Sequence, residues 1–211
     1  MADNNNILSL ALEPSGGWRT TRVIAGTAAT IATLYAPQSL MLTLAPVRAT
    51  LIPKAIHRVF CRLSGVRVEE IGQAHKGDPV LFVANHMSWL DIPLIGSRVN
   101  GSFVARADMQ EWGIFKYLCW LQRTIYVERE RRHSTADQRD EIIDRLAAGN
   151  NIILFPEGTT SNGNRLLPFK SSLFGVAEAA KRQGIHLKIQ PLTLAYTQIN
   201  NLPMGRFARQ N

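Results

Sequence analysis

The chain is expected to fold as an α/β protein, a mixed and largely parallel sheet flanked by helices, behind an N-terminal helical segment that associates with a membrane. Three observations predict this. Short apolar runs at 80–84, 103–106, 124–127, 152–155 and 188–196 have the length of strands and are separated by stretches of helical character. Strands divided by helices need crossover connections, and crossovers make neighbouring strands parallel. Ahead of them, residues 23–47 carry no charge at all. A chain of 211 residues has room for one such domain with a proper core and a short appendage.

Taken in order, residues 1–22 read as a flexible tail, because MADNNNILSLALEPSGG is Asn-rich and ends in Pro-Ser-Gly-Gly. The uncharged run is bracketed by Arg19, Arg22 and Arg48. It exceeds the roughly 20 apolar residues that a bilayer crossing needs. Threonines, Pro37, Gln38 and Ser39 dilute it, so three readings stay open: a span, an interfacial or re-entrant segment, and a helix buried in a soluble domain. Next, Lys54, Arg58 and Arg62 recur every fourth residue, with Ile52, Ile56, Val59 and Leu63 on the opposite helical face. Such a basic amphipathic helix suits an anionic membrane surface, and equally suits packing onto a core. Residues 23–63 are therefore taken as anchor plus amphipathic helix, and trimming residues 1–62 is expected to leave the rest folded.

Within the remaining 64–211, one helix starts at Ser134 with Asp137 three residues on, carries Ile142, Ile143 and Leu146, and stops at Gly149. Another runs over 171–183 and ends at Gly184. The chain finishes at Asn211 in a polar stretch soon after an expected strand, as a chain cut short would.

The charge balance of 24 basic to 16 acidic residues, net +8, suits an anionic partner such as nucleic acid, a membrane surface or an acidic substrate. Cys61 and Cys119 lie far apart, form no C-x-x-C pair, and read as buried thiols in a reducing compartment.

Two stretches carry chemistry. In VLFVANHMSWLDIPL a strand leads into His86, with Asp91 five residues on. On a continuous helix that spacing turns the side chains about 140° apart. With His86 in the turn before the helix, Asp91 in the first helical turn can reach back and hold one imidazole nitrogen, leaving the other to take a proton. This is a Ser-His-Asp triad without its serine, which suits a substrate that brings its own hydroxyl. A plainer reading is that Ser88 and Asp91 spell S-x-x-D and only cap a helix. In NIILFPEGTTSNG a strand runs into Pro156, Glu157, Gly158, Thr159 and Thr160. A glycine lets main-chain amides approach a ligand, and the hydroxyls add donors; the plain alternative is an exposed turn.

Both stretches follow apparent strands, where open α/β sheets bind ligands. Standing 71 residues apart, NHxxxxD and FPEGT together resemble the glycerolipid acyltransferases, the family of 1-acylglycerol-3-phosphate acyltransferases. The resemblance covers roughly residues 66–196. FVARADMQEWGIFKYL with TIYVER is similar to the family's second motif, and IQPLTLAY around Pro191 to its fourth. It implies an O-acyltransferase that moves a fatty acyl group from acyl-carrier protein or acyl-CoA to the free hydroxyl of a lysolipid. His86 would be the general base and Asp91 would orient it. Glu157, Gly158, Thr159, Thr160, Arg129 and Arg106 would meet the acceptor. It further implies a membrane-associated protein, its catalytic domain on the cytoplasmic side of the inner membrane. Membrane lipid is then a partner, nucleic acid is not, and neither a metal nor a bound cofactor is needed.

One departure bears on the acceptor. The family's third motif usually reads EGTRS, its arginine gripping a phosphate, whereas Thr160 stands there in this chain. Losing that contact weakens a phosphomonoester acceptor by about 1.5–3 kcal/mol. EGTTSNGNRLLPFKSSLFG is more similar to the lyso-ornithine lipid acyltransferases, whose acceptor has no phosphate, although Arg165 or Lys170 could partly substitute. Two other classes compete: an acyl-thioester hydrolase, with water in place of the lysolipid, and a non-catalytic protein that binds anionic membranes. No G-x-S-x-G elbow, zinc spacing or basic–aromatic interleaving is present in the sequence.

Overall fold

The computed structural model describes residues 14–76, 79–127, 134–163, 165–170, 175–199 and 202–203. Its elements run α1 (Pro14–Leu44), a 3-10 turn (Arg48–Thr50), α2 (Leu51–Leu63), β1 (Val80–Ala84), α3 (Asp91–Arg98), β2 (Ser102–Arg106), a 3-10 turn (Ala107–Glu111), α4 (Ile114–Leu121), β3 (Ile125–Val127), α5 (Ser134–Ala147), β4 (Ile152–Leu154), α6 (Gly175–Arg182), β5 (Lys188–Leu192), β6 (Gln198–Ile199) and β7 (Leu202–Pro203). Strands β1 to β5 form one sheet in the order β3-β2-β4-β1-β5, and every pairing in it is parallel. The mixed sheet expected from sequence is thus a wholly parallel one; among the described residues antiparallel pairing occurs only between β6 and β7, which stand apart.

Each face of β1 feeds a different half of the core. Leu81 joins Ile142, Ile143 and Leu146 of α5 and Val176 and Ala179 of α6. Val80, Phe82 and Ala84 meet Ile95, Val99, Phe103, Ile153 and Phe155 on the other side. A strand covered on both faces gains nothing from polar alternation, which is why VLFVA reads as unbroken apolar sequence.

The N-terminal elements differ from their expectation. α1 begins at Pro14, inside the segment expected to be a loose tail, with proline where a first helical turn accepts it; residues 1–13 lie outside the described part. Among the described residues no helix is long and apolar enough to cross a membrane. Nor is α1 buried, since Gln38 is its one buried side chain among those described. Gln38 Nε2 donates to the main-chain oxygens of Ala49 (2.8 Å) and Leu121 (2.6 Å), which ties α1 to the 3-10 turn ahead of α2 and to the end of α4.

α2 packs on α3 through Pro53, Ile56 and Cys61. Two residues of its basic face reach across to α3 at the surface: Lys54 Nζ donates to the Arg98 carbonyl and Arg58 Nε to the Ser97 carbonyl (3.0 Å), at the negative end of α3. The helices touch closely at Gly96, where a Cβ would stand 1.9 Å from His57 Nδ1. α2 is therefore core, and trimming to residue 62 would strip a packed helix from the domain.

Candidate active site

Three adjacent strands, β4, β1 and β5, deliver their carboxyl ends to one place, and each contributes to a single polar network. β1 ends at Ala84, and Asn85 then locks onto the β5 side: its amide nitrogen donates to the Leu194 oxygen (3.1 Å) and its oxygen accepts the Leu194 N–H (2.8 Å). His86 follows in the turn, before α3 begins at Asp91.

From the first residue of α3, the Asp91 carboxylate reaches back. Its Oδ2 accepts from His86 Nδ1 (2.8 Å) and from the main-chain N–H groups of Met87 (2.6 Å) and Ser88 (2.9 Å). Its Oδ1 accepts from the Tyr196 hydroxyl at 2.6 Å. Burial of Asp91 pushes its pKa up, yet the hydrogen bonds from His86, Tyr196, Ser88 and Met87 outweigh it and hold the carboxyl below its usual range. An anionic Asp91 requires that Nδ1 carry the hydrogen, so in the neutral imidazole the lone pair lies on Nε2. Among the described residues nothing bonds to Nε2, and the side chain is 16% exposed. The ring stacks on Phe155 with centroids 4.1 Å apart and planes at 15°.

This is the arrangement in which His86 precedes the helix, and it also explains the S-x-x-D pattern. Asp91 does receive the Ser88 amide, but the same oxygen holds the imidazole, so the two readings of the sequence describe one carboxylate.

β4 brings Phe155 and the turn Pro156, Glu157, Gly158, in which the Gly158 N–H bonds the Phe155 oxygen (3.0 Å) and φ of Gly158 is 69°, a left-handed value suited to glycine. Glu157, expected to meet the acceptor, is 2% exposed and points inward. Its Oε1 accepts the main-chain N–H of His86 (2.9 Å) and its Oε2 that of Leu167 (2.9 Å). Its direct partners are thus the backbone of the imidazole-bearing turn and of the following loop. The Ser161 N–H donates to the His86 oxygen (2.8 Å), so His86 is held at both main-chain groups by this second loop.

Thr159 and Thr160 are exposed at the lip, and their amides make no hydrogen bond among the described residues. Beside them a small hollow of about 170 Å³ is lined by Asn85, Met87, Ser161, Gly163, Arg165 and Leu166. Arg106 ends β2, two strands from β1, and its guanidinium is engaged by Asp108 at 3.0 and 2.8 Å. Arg129 lies outside the described residues. Sequence reasoning missed Tyr196, Asn85's clamp and the Phe155 stack. A polar-tipped aromatic closing an apolar motif was the available signal for Tyr196, but it acquires meaning only once β5 is known to lie beside β1.

Residues 65–195 match the family model described as Acyltransferase. The chain is 44% identical over 160 residues to the lyso-ornithine lipid O-acyltransferase of Brucella abortus (strain 2308), covering 75% of this chain and 60% of that protein. It is 46% identical over 162 residues to the protein of the same name from Rhizobium meliloti (strain 1021), covering 75% and 55%. It is 34% identical over 107 residues to the 1-acyl-sn-glycerol-3-phosphate acyltransferase of Neisseria gonorrhoeae, covering 50% and 42%. The chain spans a little over half the length of the first two relatives. In fold it is similar to the crystal structure of the 1-acyl-sn-glycerophosphate acyltransferase from Thermotoga maritima, with a TM-score of 0.53 and 24% identity over 80% of this chain and 73% of that one.

Proposed function

The chain belongs to the Acyltransferase family, and from that premise we propose that it transfers a fatty acyl group from an acyl-carrier protein or coenzyme A thioester to the free hydroxyl of a lysolipid, with His86 as general base. The observation that carries this reading is the 2.8 Å contact between His86 Nδ1 and an anionic, fully buried Asp91, which leaves Nε2 as the proton acceptor.

In the proposed reaction Nε2 takes the proton of the lysolipid hydroxyl as its oxygen attacks the thioester carbonyl. The carbon–sulfur bond of the resulting tetrahedral species then breaks, and the departing thiolate recovers the proton from His86. Asp91 stabilises the imidazolium between these steps. The amides of Thr159 and Thr160, unengaged among the described residues, are available as donors for the oxyanion.

The lyso-ornithine lipid acceptor is supported by two relatives that carry that name at 44% and 46% identity, and by Thr160 standing where a phosphate-gripping arginine is usual. Association with a membrane surface is supported by the exposed apolar side chains Leu40, Leu44, Val47 and Leu51 where α1 meets α2, and by the exposed rings of Trp18, Trp89, Trp112 and Trp120.

The test is a panel. Purified protein is mixed with one acyl thioester and, separately, lyso-ornithine lipid, 1-acylglycerol-3-phosphate or no acceptor, and products are followed by mass. Acylated lyso-ornithine lipid is expected. Free fatty acid released equally with and without acceptor would mean hydrolysis and overturn the proposal. In the same assay Thr160→Arg is expected to raise the relative rate on 1-acylglycerol-3-phosphate by roughly tenfold; an unchanged ratio removes the account of Thr160.

A further inference from the structure

We propose that Tyr196 is a positioning residue that sets the basicity of His86 through Asp91. The inference rests on His86 acting as the base and adds a member to its site from the segment after the neighbouring strand β5, 105 residues beyond Asp91 in sequence.

The two oxygens of Asp91 are used differently. Oδ2 gathers His86 and two main-chain amides, whereas Oδ1 receives the Tyr196 hydroxyl at 2.6 Å. Hydrogen bonds from O–H to an ionised oxygen at such distances are among the strong ones. Burial, the bond to Asp91 and the charge of Asp91 all push the Tyr196 hydroxyl above its ordinary pKa, so it stays protonated and remains the donor. A carboxylate that gives part of its charge to a phenol attracts an imidazolium less. Without that bond His86 would hold its proton more tightly and fewer molecules would present a free Nε2 near neutral pH. The same bond fixes the carboxylate's rotation, since both oxygens are committed.

Few other titratable groups face this pair. Glu157 lies against the His86 main chain from the β4 side. From α2 the Cys61 thiol is held above its usual pKa, chiefly by burial, and carries no charge near neutrality. Phe155, stacked on the ring, has none.

The test replaces Tyr196 with Phe in the whole chain and reads two quantities. Ring-labelled histidine, with His86 assigned by the resonance lost in His86→Ala, gives the imidazole midpoint by NMR. The acidic limb of kcat/KM against pH gives the kinetic one. Both midpoints are expected to rise by roughly half to one pH unit. At pH 7 kcat is expected to fall roughly three- to tenfold, with acceptor KM little changed. Incorporating 3-fluorotyrosine at 196, a more acidic phenol of nearly the same shape, is expected to move both midpoints down, and it keeps the test decisive if the Phe variant folds poorly. Midpoints equal to the parent's in both variants, or a change confined to KM, overturn the proposal. The two readings fail separately: no acyl transfer to any lysolipid with a shifted NMR midpoint refutes the function and leaves Tyr196 standing, whereas active enzyme with unmoved midpoints refutes Tyr196 alone.

Discussion

At the carboxyl end of β1 polar groups are buried and paired, whereas at the elbow between α1 and α2 apolar groups are laid open. Asp91 and Glu157 are 0% and 2% exposed, and each oxygen of both has a donor. Leu40 and Leu44 are 60% and 73% exposed. Both regions reverse the ordinary placement of side chains, and each is stable for a different reason. At the strand end, hydrogen bonds offset the cost of taking carboxylates out of water. At the elbow nothing in the described chain covers the leucines, which is what the proposed association with a membrane surface would use.

Variants can break this contrast in graded fashion. The largest effect is expected from His86→Ala, which should lower transfer by at least about 10²-fold while leaving the elbow, and any vesicle binding through it, untouched. Single-turnover assays beside vesicle sedimentation check both halves, and near-normal turnover would end the role of the imidazole.

Acid should unsettle the seat of α2 next. His57 is part-buried against α3, and desolvation of its ring lowers its pKa to about 4, with the Gly96 backbone opposing only in part. The unfolded chain binds this proton below about pH 6.5 and the folded chain refuses it down to about 4, so stability falls as pH drops through that window. The full loss is about 3 kcal/mol. Urea unfolding at pH 7 and pH 4.5 measures it, and His57→Gln should flatten the difference.

Glu157→Gln sharpens the strand-end side of the contrast. One of two buried main-chain donors, on His86 or Leu167, would then face an NH₂ group, costing about 1–3 kcal/mol of stability. Activity should drop with it, because either the His86 turn or the loop that holds it loses an anchor. Thermal unfolding and turnover, compared at temperatures where the variant remains folded, separate the two consequences.

Smallest in stability is Leu40→Glu with Leu44→Glu. Exposed substitutions of this kind change folding by within about 0.5 kcal/mol, yet sedimentation with anionic vesicles should fall several-fold, on the order expected for losing buried apolar area and gaining repulsive charge. Undiminished sedimentation would show that the elbow is not the contact.

How much of this the sequence discloses differs between the two regions. Strand β1 coincides with its expected 80–84, and β2, β3 and β4 differ by one terminal residue each, because buried parallel strands are continuous apolar runs. The expected strand 188–196 stops at Leu192, since 193–197 leave the sheet to carry Leu194 to Asn85 and Tyr196 to Asp91. Those are contacts at long range, invisible to local pattern. The pairing of His86 with Asp91 was legible from spacing plus the turn that precedes α3. The inward turn of Glu157 was not, because a charged residue at a strand end has the same letter whether it faces solvent or backbone. Likewise, helical spacing placed Lys54 and Arg58 on one stripe correctly, but only the position of α3 decides that two of these cations sit on its terminal carbonyls.

Glu157 grips His86 with one oxygen and Leu167 with the other, and so it ties the loop that follows it back to the imidazole-bearing turn, with Ser161 adding a further tether to the His86 oxygen. Such a stapled loop is a replaceable cassette. Its tip, including Thr159, Thr160 and Arg165, lies between the fastened ends, so under the proposed function head-group selectivity would drift in evolution, or be engineered, without unseating the imidazole.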